Sequence, residues 1–114
     1  MTTCLRGEVW LVNFHPGRGS EQSGIRPAVI LQNDVGNQHA ATTIVAAITT
    51  TLKKYPVTVV LQAAEGGLKA ASMVNLAQIL TIDKRRLKKR LGRIRAEVMQ
   101  EVDQAVCVSL GLDG

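Results

Sequence analysis

Two apolar runs, Ala28-Val-Ile-Leu31 and Ile44-Val-Ala-Ala-Ile48, constrain this chain more than anything else in it. Both are rich in β-branched residues and lack the polar–apolar alternation of a half-exposed strand, so each reads as a strand buried on both faces. They sit inside predicted strands Arg26–Asn33 and Thr42–Thr49, joined by a polar connection from Asp34 to Ala41. A chain of 114 residues holds one core, so a single domain over 1–114 is expected. A strongly curved antiparallel sheet or small barrel covers both sides of two such strands with so few residues.

If these two strands form a hairpin, Asn33 faces Thr42, and the same register sets Arg26 opposite Thr49. Directly opposed residues have Cβ atoms about 4.5–5.5 Å apart, close enough for both side chains to hold one small anion. Pro27 is tolerated only near the start of its strand.

Other strands are predicted over Glu8–Phe14, stopped by His15-Pro16-Gly17, and over Pro56–Leu61. Ala71–Thr81 reads as one bent strand or two short ones, and Asp83 caps a short helical turn through Leu87. The one long helix is Arg95–Leu110. Val98, Met99, Val102, Ala105, Val106 and Ser109 make its apolar stripe, and Gly111 supplies its stop. The fold class is therefore mostly β with a C-terminal helix.

The net charge of +5 is unevenly spread. Eight of the 14 cations and no acid fall between Lys84 and Arg95, while the remainder of the chain nets −3. Such a block attracts polyanions, or else forms a solvated face with no partner. Aromatics make up 3% of the chain, too few for an RNA-binding sheet built on stacking platforms. Cys4 and Cys107 lie at opposite ends without metal-like spacing to His15 or His39, which reads as free thiols in a reducing compartment. No run approaches membrane-spanning length and the first residues have no apolar signal core, so a cytoplasmic, soluble protein is expected.

The familiar catalytic signatures are missing: no GxSxG, HExxH, P-loop or GxGxxG, and neither histidine has an obvious carboxylate to orient it. What remains is Arg26, Thr49, the loop residues Ser20, Glu21 and Gln22, and the amides Asn33 and Gln78. A guanidinium fork and a hydroxyl suit a phosphoryl group gaining negative charge, and an amide can read a base edge.

At these residues the chain closely resembles the MazF/PemK (Kid-like) toxins of bacterial toxin–antitoxin modules. The matching pieces are Arg6–Val12, Gly19–Gln22, Arg26–Asp34, Ile44–Thr49, Val74–Ile79 and Thr81–Leu87, in the family's order and over nearly the whole chain. The resemblance implies an SH3-like barrel of the CcdB/PemK type that forms a homodimer. It implies a sequence-specific endoribonuclease that needs no metal or other cofactor and inhibits translation and growth. Single-stranded RNA is the implied substrate, with mRNA, tRNA and rRNA as candidate targets. The ribose 2′-hydroxyl attacks the adjacent phosphate, leaving a 2′,3′-cyclic phosphate and a 5′-hydroxyl. The family's catalytic arginine and threonine fall on Arg26 and Thr49. Ser20, Glu21, Gln22, Asn33, Gln78, Lys53 and Lys54 are the expected RNA contacts, with bracing of Arg26 or the loop as the other reading of Glu21. A cognate antitoxin with an acidic, disordered tail is the implied protein partner, and no membrane is involved.

Two other readings share the barrel. CcdB-like proteins poison DNA gyrase without catalysis, but rely on an aromatic in a C-terminal tail, and this chain has none after Tyr55. A catalytically silent RNA binder is the other, although Arg26 and Thr49 are both in place.

Overall fold

The computed structural model describes residues 3–14, 24–52 and 56–113. Its strands are β1 (Glu8–Asn13), β2 (Ile25–Ile30), β3 (Thr42–Thr49), β4 (Thr58–Leu61), β5 (Ser72–Asp83) and β6 (Leu87–Arg93), with helices α1 (Asp34–His39) and α2 (Ala96–Leu110). The strands form one antiparallel sheet in the order β4-β5-β3-β2-β1-β6. The two apolar runs thus lie in its middle, as their pattern requires.

The β2–β3 register is Ala28↔Ala47, Val29↔Ala46 and Ile30↔Val45, the register expected from the sequence. β5 is one continuous, bent strand. Its pairing with β3 jumps from Ala46↔Ile79 to Ala47↔Asn75, so Leu76, Ala77 and Gln78 bulge from that ladder. The bulge drives Leu76 into the core, where it is wholly buried.

Two elements differ from the sequence expectation. The Asp34–Ala41 connection contains α1, started by Asn33, whose Oδ1 accepts the Gly36 N–H at 2.8 Å. Within this polar connection Asn37 is buried and its polar atoms are satisfied. Its Oδ1 accepts from Gln32 Nε2 (3.1 Å) and Thr43 Oγ1 (2.7 Å), and its Nδ2 donates to the Gln32 carbonyl at 2.9 Å. The second is the basic block, whose centre is the edge strand β6. Two register shifts against β1 destroy the two-residue periodicity that would have announced it.

α2 follows the expectation to within a residue, with Arg95 in the N-cap position and Gly111 in the left-handed C-cap conformation. Its Val98, Met99, Val102 and Ala105 pack on one face of the sheet, against Val9, Val29, Ala46, Ile48 and Leu76. The opposite face carries a second cluster of Cys4, Val12, Phe14, Ala28, Ile30, Val45, Ile82 and Leu87. Each fully buried Val, Ile or Leu contributes about 1.5–3 kcal/mol relative to exposure.

The sheet curls until its edges meet. The tight turn Glu65–Gly67 after β4 packs on β6, and a Cβ on Gly92 would lie 2.6 Å from the Gly66 carbonyl carbon. The Glu65 carboxylate then receives the Arg95 backbone N–H at 2.9 Å and its Nε at 2.8 Å. Contact and ion pair together fasten the β4 side of the sheet to the end of β6, giving the small barrel.

Candidate active site

The β2–β3 ladder stops at Ala28↔Ala47, beside Pro27, which has no N–H to continue it. Extended two residues beyond the ladder, the same register sets Arg26 opposite Thr49. Both line one open cavity of about 330 Å³ together with Pro27, Ile48, Thr50 and Thr51. Arg26 is exposed and Thr49 half-buried. Among the described residues lining it, Arg26 brings a permanent positive charge and Thr49, Thr50 and Thr51 bring hydroxyls.

Thr49 is held by its own turn. Its Oγ1 accepts the Thr51 backbone N–H at 3.1 Å, a local hydroxyl turn two residues long. That bond occupies an acceptor lone pair and leaves the hydroxyl proton to be donated elsewhere. A guanidinium and an O–H donor across one strand spacing are the groups that can hold an anion, such as a phosphoryl oxygen gaining charge.

The remaining predicted residues are differently placed. Asn33 stands at the opposite end of β2 from Arg26, as the cap of α1. Gln78 is half-buried in the β5 bulge, beyond β3 from β2. Ser20, Glu21, Gln22, Lys53 and Lys54 lie outside the described residues. Thr50 and Thr51 were missed, although a run of three threonines ending a strand signals such a turn.

A second polar cluster shares the face that carries Arg26. Strand β1 pairs regularly with β2, so Trp10, Val12 and Phe14 point to the same side as Arg26, Ala28 and Ile30. From β6, Arg90 opposes Trp10 and Leu87 opposes Val12. The buried Glu8 carboxylate accepts from Trp10 Nε1 (3.0 Å), the Leu5 N–H (2.8 Å) and Arg90 Nε (2.7 Å). Burial alone would raise the Glu8 pKa, but the Trp10, Leu5 and Arg90 bonds outweigh it and hold the carboxyl below its ordinary value. No spacing in the sequence joins Glu8 to Arg90.

Other cavities are lined by described residues elsewhere. A groove of about 710 Å³ lies between Arg6, Arg93 and the start of α2, with Arg6 paired with Asp103 and Arg95 with Glu65. Another, of about 360 Å³, includes Cys4 and the buried Lys84, whose Nζ donates to the Asn37 carbonyl. Burial pushes the Cys4 thiol up, against a Thr43 hydrogen bond and the Lys84 charge, which keeps it protonated and unreactive. Among the described residues no group of three or more His, Cys, Asp or Glu could hold a metal ion, and no helix is long and apolar enough to cross a membrane.

Residues 5–110 match the family described as the PemK-like, MazF-like toxin of type II toxin–antitoxin systems. An endoribonuclease MazF of Staphylococcus saprophyticus is 46% identical over 109 residues, covering 94% of this chain and 91% of that protein. Among solved structures, MazF from Deinococcus radiodurans superposes with a TM-score of 0.85 at 28% identity, covering 98% of this chain and 100% of that one. An endoribonuclease from a mycobacterial species, solved with its cognate antitoxin, gives 0.83 at 27% identity over 97% and 98% of the two chains. On the extent of these matches, the chain belongs to the PemK-like, MazF-like toxin family of type II toxin–antitoxin systems.

Proposed function

We propose that this protein is a metal-independent endoribonuclease that cuts single-stranded RNA at a short sequence motif and so arrests translation. The observation that carries this reading is the Arg26–Thr49 pair across the open end of the β2–β3 hairpin. The ribose 2′-oxygen attacks the adjacent phosphorus and gives up its proton as the P–O5′ bond breaks. The leaving 5′-oxygen takes up a proton, and the products are a 2′,3′-cyclic phosphate and a 5′-hydroxyl. Arg26 meets the charge that builds on the phosphoryl oxygens, and Thr49 donates its hydroxyl proton to one of them. A guanidinium is permanently charged, so its role is electrostatic rather than acid–base.

The family relationship supports RNA contacts from Ser20, Glu21 and Gln22, four to six residues before Arg26, and from Lys53 and Lys54, two and three after Thr51. Asn33, at the cap of α1, and Gln78, in the β5 bulge, contact nucleotides away from the cut. Action in the cytoplasm as a homodimer, held inactive by an antitoxin with an acidic tail, completes the reading. The relatives solved with an antitoxin support that partner.

The test is incubation of a long single-stranded RNA with purified protein in EDTA, followed by analysis of the fragment ends. Discrete cuts bearing cyclic phosphates and 5′-hydroxyls are expected. Intact RNA from correctly folded protein would overturn the assignment.

A further inference from the structure

Outside the Arg26–Thr49 cavity, one charged group on the same face is built in the way a ligand contact is built. Arg90 is half-exposed on the edge strand β6, yet its Nε is fixed by the Glu8 carboxylate, whose side chain is 8% exposed. Glu8 is itself oriented by the Leu5 N–H and the Trp10 indole. A long cationic side chain at a sheet edge ordinarily loses several rotamers when it binds something. Here that ordering is already done by a buried carboxylate. The bond uses Nε, while the terminal nitrogens carry four further N–H donors.

The register places this group relative to Arg26. Leu87, Val12 and Arg26 make one row across the face, which the register extends to Thr49, and Arg90, Trp10, Ala28 and Ala47 make the next. Two strand spacings and two residues of rise put the Arg26 and Arg90 Cα atoms about 12 Å apart. One phosphate cannot touch both at that distance, whereas separate phosphates of one extended strand can. The cation Arg86, just before β6, donates to the Asn13 carbonyl at 3.1 Å. Lys88, exposed in β6, adds charge to the same edge.

We propose that Arg90, preset by Glu8 and Trp10, is a second phosphate-binding residue, holding the backbone of the RNA strand that flanks the scissile phosphate at Arg26. The proposal rests on the ribonuclease reading for its ligand. It gives the basic edge strand a purpose in the substrate path, because the edge and the cavity share one face. It also separates labour: Arg26 meets charge that develops in the reaction, whereas Arg90 meets charge the substrate always has, which is uniform binding.

The experiment uses an uncleavable oligonucleotide with a 2′-deoxy substitution at each position, and the emission of Trp10, the sole tryptophan of the chain. Saturable change in Trp10 emission on titration is expected, because Trp10 and Arg90 share one carboxylate. Arg90→Gln is expected to weaken binding about tenfold and to lower the slope of log K against log salt by about 0.7, one phosphate contact. In cleavage the same variant raises KM about tenfold and changes kcat less than twofold. A purely structural Arg90 leaves the salt slope at the wild-type value, and that result overturns the proposal. So does an emission change produced by a polyglutamate peptide and not by the oligonucleotide. If wild-type protein fails to cut RNA but binds the oligonucleotide with the Arg90-dependent slope, the phosphate subsite stands and the ribonuclease reading falls. Arg90→Lys, which keeps the charge and loses the fork, is expected to restore the slope but only part of the affinity.

Discussion

The hydroxyl oxygen of Thr49 accepts the backbone N–H of Thr51 at 3.1 Å, so the side chain facing Arg26 is aimed by its own chain rather than by a second side chain. The aim survives any substitution that keeps the hydroxyl. Thr49→Ser is expected to retain cleavage within about tenfold, while the near-isosteric Thr49→Val loses about 100-fold or more in kcat, as removal of a donor to a developing oxyanion does. Single-turnover cleavage measures both. Equal loss in the two variants would assign Thr49 a packing role instead.

Arg26 is exposed at the mouth of its cavity, so its removal leaves no hole in the core. Arg26→Ala is expected to lower kcat at least about 10³-fold with thermal stability within a few degrees of wild type. Arg26→Lys retains the charge without the planar fork and recovers only a minor part of the rate. Retained cleavage in a folded Arg26→Ala protein refutes the proposed mechanism.

Gly92 sits where β6 meets the turn after β4. A Cβ there would lie 2.6 Å from the Gly66 carbonyl carbon and 2.9 Å from the Gly67 nitrogen, both backbone atoms that cannot swing aside. Gly92→Ala is expected to destabilise the fold by about 2–3 kcal/mol, as overpacking does. Urea unfolding at constant m-value measures it. The exposed Gly111, with nothing within 4 Å of its Cβ position, serves as the comparison for backbone conformation alone.

Stability falls in acid for a stated reason. The Glu8 and Glu65 carboxyls are both held below the ordinary value of 4.5, burial being outweighed by Trp10, Leu5 and Arg90 in one case and by Arg95 in the other. A depressed folded-state pKa contributes stability that is complete above the unfolded value and lost as pH falls through the folded one. Melting temperature is therefore flat from neutrality to about pH 5 and drops below the ordinary carboxylate range. Glu8→Gln and Glu65→Gln each lower the neutral-pH melting temperature and shallow that acid-side drop. An unchanged drop in the double variant means other carboxylates carry it.

Asn33 has a cap to lose. Asn33→Ala is expected to cost about 1 kcal/mol, and Asn33→Ser, which still caps, almost nothing. RNA affinity separates the two roles: a cap alone leaves it intact in the serine variant, and a direct base contact does not.

Much of this arrangement was legible in the chain. Two non-alternating apolar runs pointed to central strands, and the register expected if they formed a hairpin is the one that Ala28↔Ala47, Val29↔Ala46 and Ile30↔Val45 adopt. The stripe of Val98, Met99, Val102 and Ala105, followed by Gly111, carries the period and stop of α2 within a few residues of sequence. These are local properties: spacing, capping and side-chain shape act over a turn or a strand length. The tertiary structure decided what locality cannot. β6 emerged from a basic block because β1 offers it a ladder, through bulges that erase its pattern. Asn33 became a cap because Asn37, the buried residue of the short α1, finds partners in Gln32 and Thr43 that tie the helix to β3. Glu8 and Arg90, 82 residues apart, meet only when the sheet has curled and paired its outer strand. A buried carboxylate chooses its cation by distance in space, and one-dimensional spacing carries no record of that distance.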